Sequence, residues 1–306
     1  MIEKPRVLFS LRQLGYFTAA AETLSITEAA KQLNISQPAV STAVSALEEI
    51  FQTQLFIRHH ALGLALTPAG HLLAREARML LKTAADVHSR LREFSDAGAG
   101  TVSVGFLVTL APFLLPSVAR GFQSSFPRAE IRPHEGSQTF LLESLKEGAL
   151  DCVITYDLKL TDDLLFQPML TLPPLALLPP RHPLLLQAKL TLADLALEPM
   201  VQLDLPLSRE YYEALFSSAG LTPRIGYKSA FTDVVHSMVA EGFGYTLWNF
   251  PLKNPQSSSG LPLVAREIDE LLMPLRLGFV TVAAASQRKI VEAFFEFCER
   301  HLRTHV

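Results

Sequence analysis

The sequence predicts an α/β chain in three parts: a small helical head, one long connecting helix and a two-lobed α/β body. Three observations predict it. Three short helical patterns and a hairpin pattern crowd into the first 66 residues. Residues 67–94 then run without a helix breaker beyond Gly70. From residue 101 onward, short apolar runs alternate with helical patterns, as in a sheet covered by helices.

At 306 residues the chain exceeds one ordinary core, and 49% apolar content supplies a packed interior. The net charge of −3 does not by itself point to nucleic acid. Residues 1–95 carry ten Lys and Arg against eight Asp and Glu, and the remainder 17 against 22. A weakly basic head on an acidic body fits a DNA-binding module joined to a metabolite-sensing one, though so small a difference also arises by chance. The N-terminus has no charged segment, apolar run and cleavage site of a secretory signal. Met169 to Pro180 is apolar but holds four prolines, which argues against a membrane helix. Two distant cysteines, Cys152 and Cys298, give neither a disulfide framework nor zinc spacing. A cytoplasmic protein with no membrane partner and no cofactor is expected.

In the head, Leu11, Leu14, Phe17, Ala20, Ala21 and Leu24 recur at helical spacing. Ser25-Ile26 interrupts this helix, and Thr27 is the expected N-cap of a short second one and a further candidate DNA contact. Asn34-Ile35-Ser36 reads as a turn, with Ser36 capping a third helix and Pro38 in its first turn. Val40, Val44, Leu47 and Phe51 face the core, and Gln37, Ser41 and Ser45, flanked by Thr42, form the opposite stripe. Short polar side chains let such a helix enter a major groove, where Gln37 can pair with adenine and the hydroxyls reach base edges or phosphates. An ordinary surface helix would present the same stripe to water. The short helix, tight turn and polar-faced helix together favour the DNA reading.

Leu55 to Arg58 and Leu64 to Leu66 read as the arms of a hairpin wing. Arg58 can meet a phosphate there, with His59 and His60 beside the backbone. No further ligand stands at metal-binding distance in sequence from the two histidines. The segments Ser36-Gln37-Pro38-Ala39-Val40-Ser41, Leu47-Glu48-Glu49, Leu55-Phe56 and Leu66-Thr67-Pro68-Ala69-Gly70 resemble the winged helix-turn-helix of the LysR-type regulators. The resemblance implies a DNA-binding domain over 1–66, with Gln37, Pro38 and Ser41 at the DNA face. Thr42 stands where the family commonly has Arg, and the wing lacks its usual cations. Fewer phosphate contacts imply weaker monomer affinity, so dimerisation must supply much of it.

Thr67-Pro68 is a cap and first-turn pair opening a linker helix over 67–94. Leu73, Ala77, Leu80, Ala84, Val87, Leu91 and Phe94 alternate spacings of four and three, a dimerisation seam of coiled-coil type. Packing on the chain's own body would produce a similar stripe. Such a helix spans about 40 Å, enough to hold two heads in adjacent grooves. The family resemblance implies the same, a homodimer and often a homotetramer on operator DNA, with RNA polymerase a further partner. Residues 95–100 read as a hinge.

The body, 101–306, alternates strands and helices, which implies a parallel sheet with ligand sites beyond the strand ends, near helix N-termini. Candidate effector contacts in the first lobe (about 101–168 and 275–306) are Val108, Thr109, Ser137, Gln138 and Thr139. Those in the second lobe (about 169–274) are Asp204, Ser208, Arg209, Phe231, Thr232, Trp248 and Asn249. Arg209 can clamp a carboxylate or pair with Glu213 four residues on. Trp248 can wall a cleft or pack in a core. The pattern resembles the LysR effector domain, itself similar to periplasmic binding proteins, with a small molecule between the lobes. The apolar first crossover implies an effector with aromatic or apolar surface, here expected to be an acid.

An enzyme is not expected, because no G-x-S-x-G, Walker or H-E-x-x-H segment occurs. A redox-sensing regulator using Cys152 or Cys298 is the alternative of the same architecture, although buried structural thiols explain both residues better. A solute-binding protein is a remoter one, against which the DNA-reading head stands.

Overall fold

The computed structural model of the chain describes residues 8–59, 63–93, 99–252, 255–283 and 288–305. His60, Phe94 and hinge residues 95–98 lie outside them, as do the side chains of Arg58, His59 and Leu91.

The head consists of α1 (Leu11–Thr23), α2 (Ile26–Gln32), α3 (Gln37–Phe51) and a hairpin of β1 (Phe56–His59) and β2 (Gly63–Leu66). Ser10 opens α1 with a capping box, accepting from the Gln13 N–H at 3.2 Å while its own N–H donates to Gln13 Oε1 at 2.8 Å. Leu24 ends α1 in the left-handed region (φ 49°), which sets Ser25 in extended backbone ahead of α2. Ser25, not Thr27, therefore caps α2, accepting from the Glu28 N–H at 3.3 Å. Thr27 is an exposed residue of the first turn. Leu14, Phe17, Ala20, Ala29, Val40, Val44, Leu47, Leu55 and Phe56 form the core. Phe51 departs from the expected core face. It is 39% exposed and rests against Phe9, ring centroids 5.7 Å apart.

Next comes α4 (Pro68–Glu93), whose start is fastened to the wing. Thr67 Oγ1 donates to the Gln54 carbonyl at 2.7 Å and accepts from the Gly70 N–H at 2.9 Å. Glu48 Oε1 on α3 accepts the Leu55 N–H at 2.8 Å, fixing the entry to β1. The expected seam divides here. Ala77 is fully buried in the head's own core, and the half-buried Leu73 packs against that core too. Leu80 and Val87 stay exposed, with Leu72 and Met79 near them.

Farther along α4, Arg78 lies 3.6 Å from Glu22 of α1 and 3.2 Å from Glu147 of the body. Lys82 reaches Asp151 at 2.9 Å and donates to the Leu150 carbonyl at 2.6 Å. One face of the linker thus sits on the first lobe.

That lobe comprises β3 (Gly100–Leu107), α5 (Ala111–Ser125), β4 (Ala129–Gly136), α6 (Gln138–Lys146), β5 (Cys152–Tyr156) and β6 (Leu164–Leu172). The second lobe follows with β7 (Leu175–Leu178), α7 (Leu192–Leu197), β8 (Pro199–Leu203), α8 (Pro206–Ser218), β9 (Arg224–Ser229), α9 (Thr232–Ala240), β10 (Thr246–Trp248) and β11 (Val264–Glu267). The chain then returns to the first lobe as β12 (Leu275–Val282) and α10 (Lys289–His305). The first-lobe sheet has the order β4-β3-β5-β12-β6. β3 pairs in parallel with β4 and β5, but β12 runs antiparallel to β5 and β6, so the sheet is mixed rather than wholly parallel.

The sequence reading lacked β6. Pro168, which cannot donate to a ladder, sits in it where the register slips opposite Leu277 and Gly278, on an edge strand that tolerates the missing N–H. The first passage between lobes follows the end of β6, after Leu172.

In the second lobe, β10-β7-β11 and the parallel pair β8-β9 meet through one bridge, Met200 to Tyr245. Gly244 (φ 136°) allows that meeting, since a Cβ there would lie 1.9 Å from the Pro199 carbonyl oxygen. Buried residues of both lobes join in one cluster.

Candidate DNA-reading face and inter-lobe cleft

On the head, Ser36, Gln37, Pro38, Thr42 and Ser45 are exposed and Ser41 half-buried along one side of α3, opposite Val40, Val44 and Leu47. Ser36 occupies the N-cap position with extended backbone (φ −76°, ψ 143°), but its hydroxyl makes no capping bond. Pro38 removes the N–H of the second helical residue, and the Ala39 N–H goes to the Ser36 carbonyl at 3.0 Å. The hydroxyl expected as a cap is thereby left for an outside partner. Arg58 and His59 fall on β1, the first arm of the wing.

In the body, a cleft of about 310 Å³, counting its open mouth, is lined by Thr109, Tyr156, Leu158, Leu203, Ser208, Tyr211, Tyr212, Trp248, Asn249 and Leu275. Of the expected contacts it gathers Thr109, Ser208, Trp248 and Asn249. The Asn249 amide is already committed. It donates to the Leu172 carbonyl at 3.0 Å and to Tyr211 Oη at 3.1 Å, and its oxygen accepts from Tyr212 Oη at 3.1 Å. Tyr211 Oη in turn donates to the Met273 carbonyl at 2.7 Å. Leu172 and Met273 stand at the two passages between lobes, so this network fastens the hinge as well as walling the cleft.

The other expected contacts lie elsewhere. Gln138 is buried but occupied, accepting from Thr155 at 2.9 Å and donating to the Leu158 carbonyl at 2.5 Å. Ser137 caps α6 through the Phe140 N–H at 3.3 Å, and Thr139 is exposed beside it. Val108 and Phe231 are exposed, and Thr232 starts α9 outside the lining. Arg209 pairs with Asp204 at 2.6 Å, not with Glu213, which accepts instead from Gln202 at 3.1 Å. Arg209, paired in this way, lies outside the cleft lining.

Tyr156, Leu158, Leu203, Tyr211, Tyr212 and Leu275 went unnoticed in the sequence. The tandem tyrosines carried a signal, since they stand three and four residues after Ser208 and must share its helix face. Burial pushes the Tyr211 hydroxyl up to about 12, against the lowering effect of its bond to Asn249, and raises Tyr156 and Tyr212 further. All three stay protonated at neutral pH.

Behind Trp248 lies His236, 5% exposed, with ring centroids 4.9 Å apart in an edge arrangement. Burial pulls the His236 imidazole down to about 4, partly opposed by Asp233. The folded value lies below the unfolded one, so this stabilisation is complete above about pH 6.5 and is lost as the pH falls toward 4. Between pH 7.5 and 5 the loss is about 2 kcal/mol. Chemical denaturation at the two pH values should show this difference in the native chain and not in His236→Phe. An equal slope in both would contradict the assignment.

Cys152 and Cys298 are both fully buried free thiols. Burial raises each pKa, for Cys152 with the Asp151 charge adding to it, so neither offers a reactive thiolate. Among the described residues no cluster of metal-ligating side chains occurs, and no helix is long and apolar enough to cross a membrane.

Residues 11–71 match the family described as bacterial regulatory helix-turn-helix protein, lysR family, and residues 95–303 match the LysR substrate binding domain. Among solved structures, HinK, a LysR family transcriptional regulator from Pseudomonas aeruginosa, is 35% identical with a TM-score of 0.64, covering 96% of this chain and 99% of that one. The HTH-type transcriptional regulator CysB of Haemophilus influenzae is 27% identical over 299 residues, 97% of this chain and 92% of that protein. The hydrogen peroxide-inducible genes activator of Escherichia coli O6:H1 is 29% identical over 239 residues, 78% of each chain. Helix-turn-helix head, linker helix and two-lobed body thus agree in sequence and in structure, and the chain belongs to the LysR family of transcriptional regulators.

Proposed function

We infer that the protein reads its operator as a dimer through the Ser36–Ser45 face of α3 and is switched by a small molecule held between the lobes. The observation that carries the first part is a polar stripe of Gln37, Ser41 and Ser45, backed by a fully apolar core face and extended by the uncapped Ser36 hydroxyl. Few cations accompany this stripe, so base-edge contacts carry an unusually large share of recognition. Gln37→Ala and Ser41→Ala are each expected to weaken operator binding by about 1–3 kcal/mol while leaving binding to random duplex nearly unchanged. Gel-shift titrations on both duplexes measure this, and equal losses on the two would refute base readout.

Dimerisation rests on the exposed part of the linker, Leu80 and Val87 with Leu72 and Met79, the half of the seam that the head does not bury. The double variant Leu80→Glu/Val87→Glu should sediment as a monomer and lose most operator affinity, since one head has too few phosphate contacts. A double variant that remains dimeric would place the interface elsewhere.

Switching rests on the inter-lobe cleft and on the Asn249–Tyr211 network that joins its wall to both passages between lobes. A molecule seated against Tyr211 or Trp248 changes the packing at the hinge and so biases how the paired heads are held. Saturating effector should alter the operator footprint or bend angle, and an unchanged footprint and bend would exclude this mechanism. Peroxide sensing through Cys152 or Cys298 is disfavoured by the depth of both thiols.

A further inference from the structure

Resting on the reading of the inter-lobe cleft as the effector site, we propose that it accepts an uncharged single-ring molecule bearing a hydrogen-bond acceptor, such as an aromatic amide, and rejects the matching carboxylate. The lining contains no Lys, Arg, His, Asp or Glu. Its three ionisable groups are tyrosine hydroxyls that remain neutral.

Each cation next in sequence to the lining is already paired. Arg209 is held by Asp204 at 2.6 Å, Lys159 by Glu210, and Arg276 by Asp157. An entering carboxylate would have to draw a cation away from one of these partners or shed its hydration with no counter-charge.

Two helix starts do bear on the cleft, through Thr109 just ahead of α5 and Ser208 in the first turn of α8. Each offers roughly half a positive charge, and Pro112 and Pro206 remove one N–H from each first turn. That field orients a carbonyl dipole but does not replace the hydration of a full negative charge. The Thr109 and Ser208 hydroxyls make no hydrogen bond to the described residues and are available to a carbonyl oxygen. Trp248, in the wall, carries a buried indole N–H with no partner among the described residues, and that group can only donate. Leu158, Leu203 and Leu275 with the aromatic rings supply the apolar remainder against which the face of a ring can lie.

Trp248 is the single tryptophan of the chain, so its emission reports directly on the cleft. The test titrates the full chain with benzamide and with benzoate at neutral pH, following tryptophan emission and the melting temperature together. Benzamide is expected to change the emission with a half-saturating concentration at least about tenfold below that of benzoate. Ser208→Arg, which adds a cation at the half-exposed start of α8, should erase or invert the preference. Benzoate binding as tightly as benzamide, with the same change in emission, overturns the charge selectivity and leaves the cleft as the effector site. A melting shift from either compound without a change in emission places binding outside the cleft and overturns both readings. No response to either compound also overturns both.

Discussion

Gly70→Ala is expected to destabilise the head by about 3 kcal/mol and to abolish operator binding. A Cβ at this position would lie 2.1 Å from the Leu55 carbonyl oxygen and 2.9 Å from a methyl of Leu66. The carbonyl cannot retreat. It accepts from the Thr67 N–H at 3.0 Å, and the Leu55 N–H on the other side of the residue is held by Glu48. Relief therefore requires moving α4 away from the wing, an overpacking cost of about 1–3 kcal/mol or more. Helix propensity alone argues the opposite sign, a gain of about 1 kcal/mol for Ala over Gly inside a helix. The direction of the change thus separates the two effects. Thermal unfolding and a gel shift measure it, and a variant as stable as the native chain would show that α4 and the wing are not packed in this way.

Asp151→Ala should cost about 3–5 kcal/mol, among the largest losses available in the body. The carboxylate is almost fully buried and pairs with Arg288, itself only 9% exposed. It also meets Lys82 of α4 at 2.9 Å and accepts from the Ser103 N–H at 2.9 Å. Truncation removes the anion from between two cations and strips the half-buried Ser103 N–H of its acceptor, the costly way to break a buried pair. Asp151→Asn keeps an acceptor for Ser103 and should fall between the two. Denaturant titration checks the series, and a loss below about 1 kcal/mol for the alanine variant would contradict the burial of the charges.

The head was legible in the sequence because helical spacing is a strong signal when the apolar face is narrow. Leu14, Phe17, Val40, Val44 and Leu47 occupy the core as their spacing requires. Its caps were less legible, since which of Ser25 and Thr27 opens α2 depends on where Leu24 turns left-handed, and no local preference marks a leucine for that. The seam of α4 read as one stripe because spacing identifies a buried face without saying what buries it. Leu73 and Ala77 belong to the head, and only the stripe beyond them is open.

In the body, β6 was hidden by Pro168, a residue that argues against a strand everywhere except on an edge. Helix starts led to Thr109 and Ser208, and the region after the Gly-rich turn to Trp248 and Asn249, all four of which line the cleft. The rest of the lining comes from strand ends and hinge positions such as Tyr156, Leu203 and Leu275, which only tertiary structure brings together. Arg209 shows the same limit in charge pairing. Its partner Asp204 stands before the helix start, outside the four-residue rule that singled out Glu213.

Arg78 touches Glu22 in the head and Glu147 in the body, so a single guanidinium spans the joint between the two modules. The head's orientation is thereby indexed to the first lobe rather than to the linker alone. Were two protomers to pair with this contact kept, the distance between their half-sites on the duplex would follow from the bodies. Two regulators with identical α3 faces but different lobes would recognise the same half-site letters at different spacings. Operator grammar, the gap as distinct from the words, would be inherited from the sensing half.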